Sequence, residues 1–316
     1  MLTAVLEDFQ QLPNVQPFTI LEQTREREDD PFPVFVSALA GHRVDTGEEE
    51  AAFRKAARQA DYTLVIAPEC AGILAERCRW IEEVGGRSLN CTPVAIQLCG
   101  DKLALGQHLA EQNIPTPPCQ VYQPPGDLPA FPLPWVLKPR DGAGSQATFL
   151  VQRTEQLPAC VASARTEGWA GEFLLQPFVP GMPVSVPCLL GPRQRVPLLP
   201  AFQDLSDDGR FRYRGGRIPL PVALSSRAVR LAECAVAAVH DLRGFVGVDL
   251  VLGGAADGNE DSVIEINPRL TTSYVGLRVL ARTNLAGAML AVSCGEEIDP
   301  IWRSGSVPFS ADGAIV

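Results

Sequence analysis

The sequence predicts a mixed fold, α/β in its first part and α+β in the remainder, and three features support this. Residues 1–97 alternate between helical and strand-like segments, as expected for a small parallel α/β lobe. Two strand-like segments within residues 135–151 flank a glycine-rich tip, and residues 245–266 contain a second such pair, so both regions predict hairpins. We therefore expect three lobes, at residues 1–97, 98–180 and 181–316.

Composition narrows the classes of protein that fit. The 316 residues are 46% hydrophobic and 20% charged, which is ordinary for a soluble protein of two or three lobes. The net charge is -10 without a cluster of Lys or Arg, so nucleic acid is not expected as a partner. No apolar run reaches the roughly 18 residues of a membrane span, and we expect no membrane association and a cytoplasmic location.

Zinc and disulfide frameworks also have little support. The chain has nine cysteines without a CxxC pair, and only three histidines. We interpret the cysteines as small residues of the core.

The first lobe is predicted from alternating patterns. Apolar residues at helical spacing begin at Leu2, residues 18–21 are strand-like, and residues 48–60 are helical. Residues 62–67 form the strongest strand pattern of this lobe and are followed by a helical segment at 71–84. This order predicts strands joined by helices and hence a parallel sheet.

A new unit begins at Asp101, which can cap a helix. Leu105 and Leu109 share one face of that helix, and Pro115 and Pro117 end it.

The central and last parts read mainly as strands. Residues 135–138 and 147–151 predict a hairpin, and residues 173–179 predict a further strand. A helix at 227–242 precedes the hairpin of residues 245–266.

The geometry of the last hairpin places three polar side chains together. Its turn is centred on Asp257, so Asp249 should lie opposite Glu265, with both side chains on one face. Asn267 is two residues further along and belongs to the same face. Two facing carboxylates repel each other unless a cation lies between them, and oxygen ligands without His or Cys suit Mg²⁺ or Mn²⁺. The alternative is a solvated hairpin edge with chance acidic residues.

A second candidate site surrounds Lys138. This lysine ends an apolar strand, and Gly142, Gly144 and Ser145 follow it in a loop that offers free backbone N–H groups to an anion. The loop matches neither a Walker A nor a dinucleotide-binding pattern. An ordinary flexible hairpin explains it equally well, and Lys102 is a further candidate cation beside the ordinary reading of a solvated lysine.

The order of these features resembles the ATP-grasp superfamily over about residues 98–298. Five segments carry the resemblance, and they are Asp101-Lys102, Val136-Leu137-Lys138-Pro139 with its Gly/Ser loop, residues 175–181, Gly247-Val248-Asp249, and Ile264-Glu265-Ile266-Asn267-Pro268-Arg269. The resemblance implies an ATP-grasp fold with an N-terminal parallel lobe, a small central lid lobe and a C-terminal antiparallel sheet.

The resemblance also implies roles for individual residues. Lys102 and Lys138 would contact the phosphates of ATP, and the loop from Gly142 to Ser145 would close over them. Asp249, Glu265 and Asn267 match the metal ligands, and Arg269 would face the phosphoryl group or a substrate carboxylate. The hinge against adenine would consist of Gln176, Pro177, Phe178 and Val179.

Three departures from the family pattern stand out. Family members often carry an acid where Gln176 stands and another near Pro183. Relatives usually open with a strand, whereas this chain begins in an apparent helix, so either the first lobe is short or the start lies upstream.

Within the superfamily, three segments look like the tyramine–glutamate ligase group, namely residues 267–277, Ala67-Pro68-Glu69 and residues 309–313. That group forms an amide between a glutamate carboxyl and an amine during biosynthesis of one-carbon carrier cofactors.

The resemblance therefore implies an ADP-forming carboxylate–amine ligase that acts on small molecules through an acyl phosphate, with ATP and Mg²⁺. Arg214 or Arg217, beside two glycines, is a further candidate phosphate contact, although a solvated loop is the simpler reading. Two other functions stay open: a kinase-like phosphotransferase and a non-catalytic ATP-binding subunit. The substrates and the oligomeric state, a homodimer included, are open at this stage.

Overall fold

The computed structural model describes residues 1–22, 41–44 and 47–316, with side chains described outside 21–46. Its helices are α1 Leu2–Gln10, α2 Glu49–Gln59, α3 Ile73–Glu83, α4 Pro93–Gly100, α5 Lys102–Glu111, α6 Leu157–Thr166, α7 Val222–Ala238, α8 Ser273–Leu280 and α9 Leu285–Ser293. Its strands are β1 Thr19–Glu22, β2 Gly41–Val44, β3 Gln120–Tyr122, β4 Trp135–Pro139, β5 Phe149–Val151, β6 Phe173–Pro177, β7 Met182–Leu190, β8 Arg195–Pro197, β9 Ala201–Leu205, β10 Tyr213–Ile218, β11 Gly244–Leu252, β12 Ser262–Asn267 and β13 Val307–Ser310.

The N-terminal lobe is parallel, as predicted. Strands β1 and β2 pair in parallel, and Thr63 forms a parallel bridge with Ser88. Helices α3 and α4 pack beside this lobe and bury apolar side chains such as Leu74, Ile81 and Ile96.

The prediction of a strand over residues 62–67 is wrong for most of its length. A side chain, and not a neighbouring strand, provides the hydrogen bonds of Val65. The backbone N–H of Val65 donates to Oδ1 of Asn90 at 2.7 Å, and Nδ2 of Asn90 donates to the carbonyl of Val65 at 2.9 Å. Asn90 is buried, so its amide satisfies both backbone groups of Val65 without a neighbouring strand.

The lid lobe is a small antiparallel sheet in the order β3-β6-β4-β5, covered by α6. The predicted hairpin is confirmed, because β4 pairs with β5 and Val136 lies opposite Leu150. Trp135, Leu137 and Phe173 fill a separate core within this lobe. The lobe therefore has packing of its own, independent of the rest of the chain.

The C-terminal lobe is an antiparallel sheet in the order β12-β11-β7-β9-β10-β13, with β8 paired to β7. Its two faces are covered by different helices. Helix α7 packs on the face formed by alternate residues of β7 and β11, and α1, α8 and α9 belong to the cluster on the other face. The predicted α/β fold with an antiparallel C-terminal sheet is therefore confirmed.

The Asp101 cap is confirmed, and the helix that it begins packs outside the lid core. Oδ1 of Asp101 accepts the N–H groups of Leu103 and Ala104, each at 3.1 Å. The predicted face of α5, Leu105 and Leu109, packs in the core shared by α7 and the C-terminal sheet, not in the lid core.

Two helices differ from the sequence predictions. Helix α4 is not among the predicted helices, because its nearly uniform apolar composition hides the helical period. Thr92 nevertheless caps it by accepting the N–H of Ala95 at 3.3 Å. Helix α7 begins at Val222, directly after Pro221, and it ends at Ala238, so the predicted range 227–242 is displaced.

Among the residues described, none of the helices combines the length and the apolar composition that crossing a membrane requires.

Candidate active site

The β11–β12 hairpin brings the predicted polar residues together. Asp249 lies opposite Glu265, and Gly247 lies opposite Asn267. The register predicted about Asp257 is confirmed at these positions. A bulge shifts the pairing by one residue just beyond Asp249, so the symmetry does not extend to the turn.

The alternation of β11 directs Asp249 away from the core under α7. Val246, Val248 and Leu250 are buried in that core, so the odd-numbered residues between them face the opposite side of the sheet. Residue Ser185 of β7 lies directly across from Asp249. The polar face is thus continuous across β12, β11 and β7.

Contacts at both ends hold this hairpin in place. The guanidinium of Arg227 binds the carboxylate of Asp261, which is buried and also accepts the N–H of Gly253 at 2.9 Å. At the other end, a Cβ on Gly247 would lie 2.6 Å from Cγ2 of Thr271, so only glycine fits there.

The two carboxylates of the hairpin differ in their affinity for protons. Burial and then the nearby charge of Glu265 raise the pKa of Asp249 well above its usual range. Side-chain hydrogen bonds from Ser185, Gln203 and Asn267 act in the opposite direction. Asn267 donates from Nδ2 to Oδ2 of Asp249 at 3.0 Å.

Glu265 is held in its charged form by a lysine. Burial alone would raise its pKa, but the charge and hydrogen bond of Lys102, together with the charges of Lys138 and Arg269, lower the pKa well below the usual range. Nζ of Lys102 donates to Oε2 of Glu265 at 2.7 Å. The same pairing raises the pKa of Lys102 against the effect of its own burial. Lys102 follows directly after the capping residue Asp101.

Lys138 supplies a second cation. It is 7% exposed on β4 and forms no ion pair with the described part of the chain. Burial lowers its pKa, and the charge of Lys102 lowers it further, whereas Cys119 and Glu265 act to raise it. An ammonium that is buried without a counterion is costly, and a bound anion would offset that cost.

The hairpin face fits a divalent cation by its chemistry. Carboxylate oxygens of Asp249 and Glu265 and the amide oxygen of Asn267 are hard ligands of the type that Mg²⁺ or Mn²⁺ takes. Among the described residues, no group of three or more His, Cys, Asp or Glu side chains is placed to hold a metal. The remaining ligands would therefore be water or the oxygens of a bound substrate.

The glycine-rich loop of the lid is tied to the C-terminal lobe. Ser145 has a φ of 60° and donates from Oγ to the carbonyl of Phe211 at 2.7 Å. Gly144 has a φ of +66° and open space around it, whereas a Cβ on Gly142 would meet Cβ of Pro139 at 3.1 Å. The loop is already folded over toward β10.

The turn between β9 and β10 carries further contacts with the lid. The N–H of Leu150 donates to the carbonyl of Gly209 at 2.7 Å, and Nε of Arg210 donates to the carbonyl of Thr148 at 2.9 Å. Arg210 also binds Glu167 through Nη2 at 2.5 Å. On the following strand, burial and then the charge of Asp249 raise the pKa of Tyr213.

The predicted hinge lies where the lid sheet ends. Gln176 is buried on β6 and its Oε1 accepts from Sγ of Cys119 at 3.5 Å. The N–H of Phe178 donates to the carbonyl of Pro134 at 2.9 Å, so it is not available to a ligand. The ring of Phe178 stacks on Phe211 with centroids 6.0 Å apart and planes at 27°.

Pro177 and Val179 flank Phe178, half-buried. The hinge segment Gln176–Val179 remains a prediction as an adenine contact. Phe211 is the neighbouring aromatic residue that sequence reasoning missed.

Arg269 has a partner that the sequence did not indicate. Its guanidinium binds the carboxylate of Glu69, and Nη2 of Arg269 donates to Oδ1 of Asn267 at 3.4 Å. Glu69 is 7% exposed and lies just after the extended segment of the N-terminal lobe. Ligand sites of α/β folds often lie at the carboxyl ends of their strands, and this is the signal that could have identified Glu69.

Arg214 and Arg217 belong to a strand, not to the loop that the sequence suggested. Both lie on β10, Arg214 is largely exposed, and Arg217 stacks on the ring of Phe202 with 5.2 Å between Cζ and the centroid. The adjacent Gly215 permits close pairing with β13, because its Cβ would lie 2.0 Å from the carbonyl oxygen of Phe309. The close approach of β13 therefore explains the glycine at position 215.

Comparison with known protein families and structures adds to this geometry. Residues 99–273 match the family described as the ATP-grasp domain, and residues 25–96 match the pre ATP-grasp 3 domain. A tyramine–L-glutamate ligase of Methanocaldococcus fervens is 28% identical over 238 residues, which is 75% of this chain and 68% of the relative. The chain spans about two thirds of the length of the curated relatives that it matches.

Solved structures share the architecture. A biotin carboxylase of Campylobacter jejuni in its β-γ-ATP complex aligns with a TM-score of 0.76 at 16% identity, covering 97% of this chain and 72% of the other. An L-amino acid ligase of Bacillus licheniformis aligns with a TM-score of 0.73 at 17% identity, covering 96% and 75%. At such identities the likeness establishes the fold, and the predicted ATP-grasp fold is confirmed.

Proposed function

The chain belongs to the ATP-grasp family, and from that premise we propose that it is an ADP-forming ligase that joins a carboxylate to an amine. Glutamate is the proposed carboxylate and tyramine the proposed amine, because a similar curated protein is named for that pair. ATP with Mg²⁺ is the proposed energy source.

The proposal rests on one observation, which is that acidic and basic side chains lie close together at the hairpin face. Asp249, Glu265 and Asn267 offer oxygens to a metal ion, while Lys102 and Lys138, the latter without an ion pair among the described residues, offer positive charge to phosphate. A magnesium ion bound there would neutralise charge that develops on the transferred phosphoryl group. The acidic side chains suit the magnesium ion of Mg-ATP, and the basic side chains suit its phosphates.

The residues of the chain have the following roles in the proposal. Lys138 and Lys102 bind the phosphates, and the loop containing Ser145 excludes water from them. Arg269, oriented by Glu69, lies at the edge of the hairpin face, where it can stabilise the phosphoryl group or the substrate carboxylate. The hinge from Gln176 to Val179 receives the adenine.

The reaction proceeds in two steps. A carboxylate oxygen of the first substrate forms a bond to the γ-phosphorus as the bond to ADP breaks, which yields an acyl phosphate. The amine nitrogen then bonds to the acyl carbon, and phosphate departs as the amide forms. Starting from an ammonium ion, the nitrogen loses two protons, one to the departing phosphate and one to solvent.

The test is mass spectrometry of the products that the purified protein makes from ATP, Mg²⁺ and a panel of amino acids and amines. An amide together with ADP is the expected result. A stable phosphorylated product without any need for an amine would indicate a kinase, and ATP binding without turnover of any acceptor would indicate a non-catalytic subunit. Either outcome contradicts the proposal.

The metal assignment has its own variant. Glu265→Gln should reduce Mg²⁺-dependent turnover by about a hundredfold or more while the protein stays folded. Glu260→Gln is the matched control, because Glu260 is exposed in the turn of the same hairpin and accepts only the N–H of Ala255. Normal turnover in a folded Glu265→Gln protein would refute the metal site.

A further inference from the structure

A cavity of about 430 Å³ lies between the N-terminal lobe, the start of α5 and the lid, and we call it the interlobe pocket. Glu69 and Gly72 line it from the N-terminal lobe, Asp101 from the start of α5, and Asp141, Trp169 and Glu172 from the lid. Its volume falls in the range of small-molecule sites.

The pocket adjoins the hairpin face through two contacts. Glu69 lines the pocket and also binds Arg269, which in turn donates to Asn267. Asp101 lines the pocket and precedes Lys102, which binds Glu265. A molecule in the pocket is therefore separated from the proposed phosphoryl-transfer site by single side chains.

The lining has an excess of negative charge. Among the described residues that line it, four are carboxylates and one, Arg140, is a cation. The guanidinium of Arg140 is already engaged, because it donates to both oxygens of Asp101, at 2.9 and 2.6 Å, and to Glu172 at 2.9 Å. These contacts raise the pKa of Arg140. A carboxylate ligand would thus meet repulsion without a free partner.

Asp141 is the lining carboxylate that has no ion-pair partner among the described residues. Its Oδ2 accepts the N–H of Ala71 at 2.9 Å, and it forms no ion pair with the described part of the chain. Asp101 and Glu172 pair with Arg140, and Glu69 pairs with Arg269. A cation in the pocket would find its counterion in Asp141.

The pocket favours an organic cation over a metal ion. Among the described residues, no three His, Cys, Asp or Glu side chains converge closely enough to hold a metal, so the lining acids are spread around the cavity. Trp169 adds an apolar and aromatic wall whose orientation is fixed, because its Nε1 donates to the carbonyl of Glu172 at 3.2 Å and its ring leaves no room for a Cβ on Gly171. Aromatic walls suit ammonium ions and aryl groups alike.

We propose that the interlobe pocket binds the amine substrate as its ammonium ion, with Asp141 as the counterion and Trp169 beside the organic group. This rests on the proposed ligase function and adds to it the site and the chemical class of the acceptor, a primary amine with an apolar or aromatic arm. The pocket adjoins Arg269 through Glu69, on the side of the hairpin face where the proposed acyl phosphate forms.

The test separates activation of the carboxylate from use of the amine. Hydroxylamine, which is uncharged at neutral pH, replaces the amine and traps an acyl phosphate as a hydroxamate. In Asp141→Asn the amide oxygen can still accept the N–H of Ala71, so the charge is removed with little change of shape. We expect the ratio of amide formation from subsaturating tyramine to hydroxamate formation to fall about tenfold in this variant.

Two further variants sharpen the result. Asp141→Glu restores the charge and should recover part of the ratio. Asp127→Asn removes an exposed carboxylate of the lid outside the pocket and should leave the ratio as in the wild type. An unaltered ratio in Asp141→Asn would overturn the amine pocket while leaving the ligase proposal intact.

A binding measurement tests the cation site without any need for turnover. Calorimetric titration of the wild-type protein with tyramine should give an affinity at least tenfold higher than titration with its neutral alcohol analogue, and Asp141→Asn should remove the difference. Equal affinity for the two compounds in the wild type would overturn the pocket assignment. Absence of hydroxamate from every carboxylate tested, with this binding preference present, would overturn the ligase proposal and not the cation site.

Discussion

Arg269 binds Glu69 from a position 200 residues further along the chain, and this contact joins the N-terminal lobe to the hairpin of the C-terminal lobe. Both side chains are largely buried, so the pair fixes the direction of the guanidinium next to Asn267.

Replacing the partner of Arg269 should impair turnover more than binding. In Glu69→Gln the carboxylate charge is lost and the guanidinium is free to reorient, so we expect kcat to fall about ten- to a hundredfold with a smaller change in KM for ATP. Steady-state kinetics with thermal unfolding as a folding check would measure this. Glu82→Gln, on the exposed side of α3, is the control. A KM effect without loss of kcat would argue against a positioning role.

Removing the buried ammonium of Lys138 should separate stability from nucleotide binding. Lys138→Met keeps most of the length of the side chain but eliminates an ion that lacks a counterion within the described residues. We expect an equal or higher unfolding midpoint in the absence of ATP, and ATP affinity reduced about a hundredfold. Differential scanning calorimetry and ATP titration would measure the two effects.

The matching change at exposed Lys55 should leave both quantities near their wild-type values. Retained ATP affinity in Lys138→Met would remove this lysine from the phosphate site.

The hydroxyl of Ser145 should contribute to closure of the lid. Ser145→Ala and Ser145→Gly both lose the donor to the carbonyl of Phe211, but glycine also relieves the positive φ. We expect KM for ATP to rise several-fold in both, with Ser145→Gly the more stable protein by about 1 kcal/mol. Kinetics and denaturant titration would measure this, with Ser163→Ala on the exposed face of α6 as the control. An unchanged KM would show that the contact does not support nucleotide binding.

The amide of Asn90 should be important for stability. Asn90→Ala leaves two backbone groups of Val65 without partners in a buried setting, so we expect unfolding to become easier by about 2–3 kcal/mol. Urea titration would measure the change, and Gln107→Ala on the exposed side of α5 should shift it by less than about 0.5 kcal/mol. A similarly small shift in Asn90→Ala would mean that water or a rearranged backbone satisfies Val65.

Sequence reasoning succeeded where a local pattern determines the structure. The pairing of Asp249 with Glu265 follows from two strongly apolar strands and the length of the turn between them. The cap at Asp101 is also local, because a side chain reaches the N–H groups of the next turn.

It failed where distant residues determine the structure. The interruption of the strand at residues 62–67 depends on Asn90, and the strand character of Gly215 depends on the approach of Phe309. The pair of Glu69 and Arg269 is formed by lobes that only the complete fold brings together. Contacts that matter for the proposed site can therefore be missed even where each residue alone carries a signal, because the sequence does not show which residues meet.

The turn between β9 and β10 contacts the lid, and its two strands carry Gln203 and Tyr213 near Asp249. Strands β9 and β10 are paired, with an irregularity between Tyr213 and Gly215, so the turn and these side chains belong to one element. Lifting the lid to release a product would therefore disturb the polar shell of Asp249 in the same movement. A metal ion held by Asp249, Glu265 and Asn267 would be bound less tightly while the lid is open, and we then expect turnover to depend on the concentration of free Mg²⁺ as well as on that of ATP.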